Sequence, residues 1–167
     1  RGEGSQEAGK DAHELGFAAS GKDGVEVQKV YTFHRGSYVV DVAMEVRNPG
    51  STPLATYSYF QLTHDGKPSA DANTLAASFG AQSFNGFAVY TEEKKFEKVH
   101  LTDVDKNKAE YVKLANNGWL AYVQHYFVAA WTPPAKSERD YAVLKRADGV
   151  YAGYVRIAAG TLAPGAT

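Results

Sequence analysis

The chain has 167 residues, of which 44% are hydrophobic and 22% are charged, and its formal net charge is −1. Lysines and arginines are scattered along it, which excludes the basic surface that nucleic-acid binding requires. Cysteine is absent, which excludes disulfides and cysteine-ligated metals. No apolar run approaches the ~20 residues of a membrane span. Eleven Tyr, eight Phe and two Trp stand against one Met, and this favours sheet because aromatic side chains pack well on pleated surfaces.

Residues 1–23 are rich in small and charged side chains, and only Leu15 and Phe17 offer bulky apolar surface. This composition predicts a flexible leader or a cloning remnant, with at most one short strand at Glu14–Ala18. Residues 24–167 are predicted to form the folded domain.

The first regular pattern is a β-hairpin between Val25 and Arg47. Apolar side chains alternate with polar ones up to Phe33 and again from Tyr38, and the turn His34–Ser37 separates the two runs. Alternation with period 2 predicts two strands with one buried face. Asn48, Pro49 and Gly50 then end the hairpin.

The middle of the chain reads as further strands joined by polar segments. Ser69–Ser83 is small and polar and is predicted to be a loop, and Asp103–Glu110 is predicted to be a polar connector. The strands are predicted at Leu54–Leu62, Phe84–Tyr90 and Phe96–Leu101.

The most apolar stretch is Gly118–Trp131. Both alternating faces are aromatic or aliphatic, so we predict one central strand that is covered on both sides. A helix is the competing interpretation, because short apolar runs are ambiguous, and the β-branched and aromatic content favours the strand.

A second hairpin is predicted from Ser137–Leu144 and Val150–Ile157, around the Asp148-Gly149 turn. Gly160–Thr167 is expected to trail off without structure. At least eight strands at short spacing, with no helical repeat, predict an all-β fold of the antiparallel β-sandwich type.

The sequence offers no recognisable set of reacting groups. No two histidines stand at metal-ligand spacing, adjacent acidic residues lie in charged connectors, and neither a nucleophile motif nor a phosphate-binding glycine loop is present. We therefore expect a protein that is not an enzyme, with no catalytic residue, no cofactor and no metal. The histidines are His13, His34, His64, His100 and His125.

Aromatic side chains remain as the candidates for a binding site. Tyr and Trp combine a large rigid surface with a polar tip, which suits sugars or extended peptides. The alternative is that they form core and cross-strand pairs, and that His125 is a buried histidine with a hydrogen-bond partner. The aromatic set is Tyr57, Tyr59, Tyr90, Trp119, Tyr122, Tyr126 and Trp131, and the predicted cleft is formed by Trp119, Tyr122, His125 and Trp131.

Four segments, in their order and spacing, resemble one known family. The segment Tyr31–Val42 is similar to a hairpin in the periplasmic (P1) domain of YidC-type membrane protein insertases, of the YidC/Oxa/Alb family, and Asn48–Ser51 is similar to the turn after it. Phe87–Lys98 and Gly118–Trp131 are similar to later landmarks of the same domain. The resemblance covers about residues 24–165.

The resemblance implies a twisted β-supersandwich related to galactose mutarotases and carbohydrate-binding domains. It also implies that this sandwich is incomplete at the N-terminus, because the family has a set of strands before the position of Val25. The domain would lie in the periplasm as part of a bacterial inner membrane protein that inserts and folds membrane proteins, alone or with the Sec translocon. The implied partners are Sec accessory subunits or nascent membrane proteins, and exposed sheet edges would allow a dimer.

Three functions therefore compete. The first is a docking module of an insertase, which acts with Sec subunits or substrate segments as part of a chaperone and protein-transport machinery. The second is a carbohydrate-binding or mutarotase-like sandwich. The third is a structural spacer without a ligand, since a fold by itself does not decide a function.

Overall fold

The computed structural model describes residues 2–5, 11–67, 84–124, 127–134 and 136–167. Most of them lie in antiparallel strands and few are helical, so the predicted all-β class is confirmed. A 3₁₀ turn at Lys22–Gly24 and a five-residue helix, α1, at Leu101–Asp105 accompany the strands. The strands are β1 Gly2–Ser5, β2 Ala12–Ser20, β3 Glu26–His34, β4 Val40–Arg47, β5 Leu54–His64, β6 Asn85–Thr91, β7 Lys95–His100, β8 Leu114–Ala115, β9 Trp119–Gln124, β10 Phe127–Trp131, β11 Arg139–Lys145 and β12 Tyr151–Leu162.

The chain divides into two compact units. The first contains residues 1–56 and 159–167, and the second contains residues 57–158. The division therefore falls inside β5 and β12.

The first unit is built on one sheet with the order β1-β2-β3-β4. The β3–β4 pair confirms the predicted hairpin, with Phe33 opposite Val40 and Glu26 opposite Arg47. The one short strand predicted at Glu14–Ala18 lies inside β2, but the segment contains more strand than predicted, because Ala12–Ser20 pairs with β3 along nine residues and Gly2–Ser5 adds another strand. Glycine and alanine fit between larger neighbours in a sheet, so cross-strand pairing overrides the weak strand propensity of this segment.

Asn48 ties the end of the chain to the turn after β4. Its Nδ2 donates to the carbonyls of Thr52 at 2.8 Å and Leu162 at 3.2 Å, and its backbone carbonyl accepts from Gly165 N at 2.7 Å. The side chain is only 3% exposed. The expectation that Gly160–Thr167 trails off is therefore wrong, since β12 continues to Leu162 and the residues after it bond to Asn48.

The second unit contains two packed sheets, with the orders β10-β9-β6-β7 and β5-β12-β11-β8. Phe87 of β6 is fully buried, and a side chain at Gly153 of β12 would clash with its ring. Only glycine at 153 allows the ring to approach the opposite backbone this closely. The core that the two sheets enclose consists of Phe87, Val89, Val99, Val104, Leu120, Tyr122, Tyr141, Val143, Tyr151, Val155 and Ile157.

The predicted single strand Gly118–Trp131 is wrong. The segment forms a hairpin in which Gln124 pairs with Phe127 and Leu120 pairs with Trp131. β9 is buried between β10 and β6, whereas β10 is an edge strand whose Phe127 and Val128 are 77% and 68% exposed. Period-2 reasoning missed the turn because the apolar pattern continues through it.

The other predictions are largely confirmed. β5, β6, β7 and the β11–β12 hairpin lie where the patterns predict strands. The polar connector begins with helix α1, because Val104 is buried against the second unit's core. The predicted loop Ser69–Ser83 lies outside the described residues. In the described part, no helix is long and apolar enough to cross a membrane.

Candidate binding surface

Tyr122 lies between the two sheets of the second unit. Its hydroxyl donates to Asn85 Oδ1 at 2.6 Å, its ring stacks on His64 with centroids 4.3 Å apart, and Phe87 meets it edge-on at 4.9 Å. Burial raises the pKa of the Tyr122 hydroxyl to about 12. The side chain is therefore a neutral, satisfied core group.

Trp131 points to the same face of its sheet as Tyr122. Its indole Nε1 donates to the carbonyl of Gln61 at 3.1 Å, and its ring lies 4.9 Å from that of Phe60. Tyr122 and Trp131 thus both reach β5, and together they fasten the β9–β10 hairpin to the opposite sheet.

Trp119 lies on the other face of β9, because it stands three positions before Tyr122 and successive side chains alternate between the two faces. It stacks on Tyr90 of the neighbouring strand at 5.4 Å and lies 5.9 Å from Phe96. His125 lies outside the described residues. The structure therefore brings together Tyr122 and Trp131 and separates Trp119 from them, and the use of the four residues as a binding cleft stays a prediction.

Two imidazole–carboxylate pairs occur in the described ranges. His34 bonds Asp41 at 2.8 Å on an exposed strand pair, where the two side chains are 42% and 69% exposed. His64 approaches its neighbour Asp65 at 3.7 Å, but its Nδ1 already accepts from Gly66 N at 2.9 Å. Neither pair converges with a second reacting group. Within the same ranges, no group of three or more His, Asp and Glu is placed to hold a metal ion.

The solvent-exposed face of the sheet formed by β5, β12 and β11 carries an aromatic surface. We call it the tyrosine–arginine surface and define it by Tyr57, Tyr59, Tyr154, Arg156 and Asp140. Tyr57 and Tyr59 are 62% and 48% exposed. The rings of Tyr59 and Tyr154 lie 4.9 Å apart, and the Arg156 guanidinium lies 5.5 Å over the ring of Tyr57.

Hydrogen bonds hold this surface in one arrangement. Arg156 donates through Nε at 2.8 Å and also through Nη2 to the same carboxylate oxygen of Asp140. These bonds raise the pKa of Arg156 above its ordinary value. The Tyr59 hydroxyl donates to Gln61 Oε1 at 2.7 Å, and burial together with the neighbouring Tyr154 raises the pKa of Tyr59. The surface therefore presents an oriented guanidinium, paired with Asp140, beside exposed aromatic rings.

Sequence reasoning found part of this surface. Tyr57 and Tyr59 were among the aromatic candidates, and their i, i+2 spacing already puts them on one face of a strand. Arg156 and Asp140 carry no such signal. Their pairing depends on the β11–β12 register, in which Asp140 stands opposite Arg156.

Arg139 is a buried residue that the sequence did not reveal. It is 1% exposed, and its partners in the described part of the chain are neutral. Its Nη1 donates to the carbonyl of Gly118 at 2.9 Å. Its Nη2 donates to Pro134 O at 2.6 Å and to Ser137 Oγ at 2.8 Å. Arginine suits this role because its planar head offers five donors in a fixed fork. The guanidinium therefore joins the loops at both ends of the β9–β10 hairpin.

The fold and this surface define an all-β sandwich domain with an exposed aromatic patch. Comparison with known proteins gives the family. The model of the YidC periplasmic domain family matches residues 1–167, so the chain belongs to this family, and the family's description places the domain in the periplasm. The matched range includes residues 1–23, the segment that composition alone assigned to a leader.

Three relatives illustrate the similarity, and each is named membrane protein insertase YidC. The protein of Nitrosomonas europaea is 42% identical over 158 residues, which are 95% of this chain and 25% of the relative. The Aromatoleum aromaticum protein is 41% identical over 157 residues, or 94% of this chain and 28% of the relative. The Bordetella petrii protein is 43% identical over 144 residues, which are 86% of this chain and 25% of the relative. The chain thus spans about a quarter of the length of these relatives.

Proposed function

We propose that the chain is a non-catalytic docking domain of an inner membrane protein insertase. In this role it contacts Sec accessory subunits or segments of nascent membrane proteins while the rest of the insertase inserts and folds them. Family membership supports the link to an insertase. The observation that carries the docking role is the tyrosine–arginine surface, an ordered and exposed patch without reacting groups.

The composition of this surface suits a protein partner. Tyr and Arg are enriched among the residues that contribute most to binding at protein interfaces. Tyr57 can cover a large area with little loss of side-chain entropy, because a tyrosine side chain has only two rotatable bonds before its rigid ring. Asp140 already orients the Arg156 guanidinium, so this side chain would lose little further conformational entropy when a partner binds.

The carbohydrate-binding alternative has less support from the same geometry. A sugar ring stacks on flat aromatic faces, but the rings of Tyr59 and Tyr154 are tilted by 39° and do not form one plane. A mutarotase-like reaction needs an imidazole and a carboxylate that converge on a substrate, and neither described pair offers this. Calorimetric titration with monosaccharides and disaccharides at millimolar concentration tests the alternative, and we expect no heat of binding.

Site-specific photo-cross-linking tests the docking role in the full-length insertase. A benzophenone amino acid replaces Tyr57 in one variant and Tyr38 in another, and membranes are irradiated during synthesis of a membrane protein. Tyr38 is the matched control, since it is fully exposed but lies in the turn between β3 and β4. We expect cross-links from position 57 to Sec accessory subunits or nascent chains, and few from position 38.

The variant Arg156→Ala, combined with the cross-linker at position 57, shows whether the guanidinium takes part. We expect it to lower the yield of these cross-links several-fold. Equal yields from positions 57 and 38, or capture of neither Sec subunits nor nascent chains, would count against the proposal.

A dimer through an exposed sheet edge is a separate proposal, and β10 is the edge that favours it. Apolar edge strands tend to pair with other chains unless charges protect them, and Phe127 and Val128 are exposed. Sedimentation equilibrium tests this. We expect self-association that Val128→Lys abolishes, and a monomer at all concentrations would contradict the dimer.

A further inference from the structure

In the sheet β5-β12-β11-β8, the edge of β11 that faces away from β12 is only partly covered by β8. Strand β8 has two residues, and it pairs with β11 only at Arg139 and Asp140. One further backbone bond follows, from Tyr141 N to Lys113 O at 2.8 Å. Beyond it, β11 continues to Lys145, and on the side opposite β12 no strand of the described residues lies beside it.

A side chain takes the place of the missing strand. The Val143 amide donates to the Tyr111 hydroxyl at 2.8 Å, so a phenol stands where a neighbouring strand would offer a carbonyl. Tyr141 and Val143 both direct their amides away from β12. Because backbone groups alternate along an antiparallel strand, the Val143 carbonyl and the Lys145 amide face the same open side. Open backbone groups of this kind are templates for another strand.

A cavity of about 680 Å³ lies along this open edge. Val143 and Lys145 form one wall, and Val104, Asn107, Tyr111 and Lys113 contribute to the other. The volume is within the ~300–1,000 Å³ range of ligand clefts. The open edge and the cavity together have the form of a groove for an extended chain, and we call them the β11 groove.

The charges of the β11 groove indicate the chemistry of its occupant. The charge of Asp105 is already paired, since the carboxylate accepts from Lys145 Nζ at 2.9 Å and from the Tyr151 hydroxyl at 2.8 Å. These two donors lower the pKa of Asp105, with the bond from Lys145 first. Lys113 is exposed, and two lysines against one aspartate leave an excess of positive charge along the groove.

We propose that the β11 groove takes an extended, acidic polypeptide segment of a docking partner as an added strand. Backbone bonds to Val143 and Lys145 would supply affinity, and carboxylates near Lys113 would supply selectivity. The proposal rests on the docking function and specifies how one partner segment is held.

Binding of a synthetic probe to the 167-residue chain tests the proposal. The probe is the peptide Glu-Val-Thr-Val-Glu-Val-Thr-Glu, and two control peptides carry Lys in place of Glu or N-methyl groups on alternate amides. We expect the acidic peptide to shift the ¹⁵N–¹H signals of Val143 and Lys145 saturably. The lysine peptide should bind at least tenfold more weakly, and the N-methylated peptide should not bind, because it cannot form the ladder.

Two variants separate strand addition from simple charge attraction. Lys113→Glu should reverse the preference between the acidic and lysine peptides, whereas Lys94→Glu, an exposed lysine in the β6–β7 turn, should leave it unchanged. Tyr111→Phe frees the Val143 amide and should tighten binding several-fold.

Three outcomes would overturn the proposal. In the first, the peptide shifts only the signals of other strand edges, and in the second, the N-methylated peptide binds equally well. In the third, the shifts at Val143 and Lys145 arise from self-association alone. Its failure is distinguishable from that of the docking function. Cross-links from position 57 without peptide binding would reject only the groove, and peptide binding without cross-links would reject only the docking role assigned to the tyrosine–arginine surface.

Discussion

The two units of the chain use similar alternating strands but bury them to different extents. All fourteen hydrophobic residues that are buried in the described part of the chain belong to the second unit, and the buried residue of the first unit is the polar Asn48. The second unit encloses its apolar side chains between two sheets, whereas the first unit is built on one sheet. Alternation therefore decides which face of a strand is apolar, but burial requires a second layer.

This difference predicts where the free energy of unfolding originates. In the first unit, contacts such as the Phe17–Tyr31 ring pair at 5.9 Å and the exposed Arg47–Glu26 ion pair contribute little each. In the second unit, each core side chain contributes the full transfer free energy of its apolar surface. The predictions below test this contrast, from the largest expected effect to the smallest.

Replacing the buried guanidinium should have the largest effect. Arg139→Met leaves several buried carbonyls without a donor, and each costs about 1–3 kcal/mol. We expect a loss of about 3 kcal/mol or more in the free energy of unfolding, measured by guanidinium chloride denaturation. The control Arg35→Met, at an exposed arginine of the first unit 3.8 Å from Asp11, should change it by less than ~0.5 kcal/mol. Similar losses for both variants would contradict the contrast.

A matched pair of valines compares the units directly. Val89→Ala removes two methyl groups from a fully buried site in the second unit, and should cost about 2–3 kcal/mol. Val42→Ala makes the same change on the half-buried face of β4 and should cost about 1 kcal/mol or less. Thermal and denaturant unfolding measure both, and equal costs would show that a layer also covers the first unit's sheet.

Tyr122→Phe tests a polar bond within the core. Loss of the hydroxyl leaves Asn85 Oδ1 unpaired and should cost about 1–2 kcal/mol at neutral pH. The pKa of Tyr122 is raised to about 12 from 10.0, so its stabilising contribution is complete below pH 10 and is lost as pH rises towards 12. The difference in stability between the two proteins should therefore shrink over this interval, and a constant difference would contradict the buried hydroxyl.

The smallest effect is expected at the exposed margin of the second unit, where Asp105 holds α1 to β11. Its pKa lies below the ordinary 3.8, so its contribution is present above that pH and is lost as pH falls through the lowered value. The protection factors of the α1 amides against hydrogen exchange should fall below pH 4 in the natural protein. Asp105→Asn should show low protection factors at every pH, and a pH-dependent fall in this variant would assign the effect to another group.

The sequence by itself determined the class of fold, most of the strands and the family. Period-2 patterns and the turns His34–Ser37 and Asp148-Gly149 are local features, and they suffice to predict the two hairpins that contain them. They also placed Tyr57 and Tyr59 on one face of a strand. Four spaced segments were enough for the family resemblance, because order and spacing are properties of the sequence alone.

Tertiary structure decided the rest. The hairpin at β9–β10 replaced a single predicted strand, because the apolar pattern does not show where the chain folds back so that β10 pairs with β9. Arg139, Arg156 and the β11 groove depend on strand register and on which edge lacks a neighbour, and these relations join residues far apart in the chain. Long-range contacts select among patterns that are locally equivalent, and for that reason the exposed and the buried arginine look alike in the sequence.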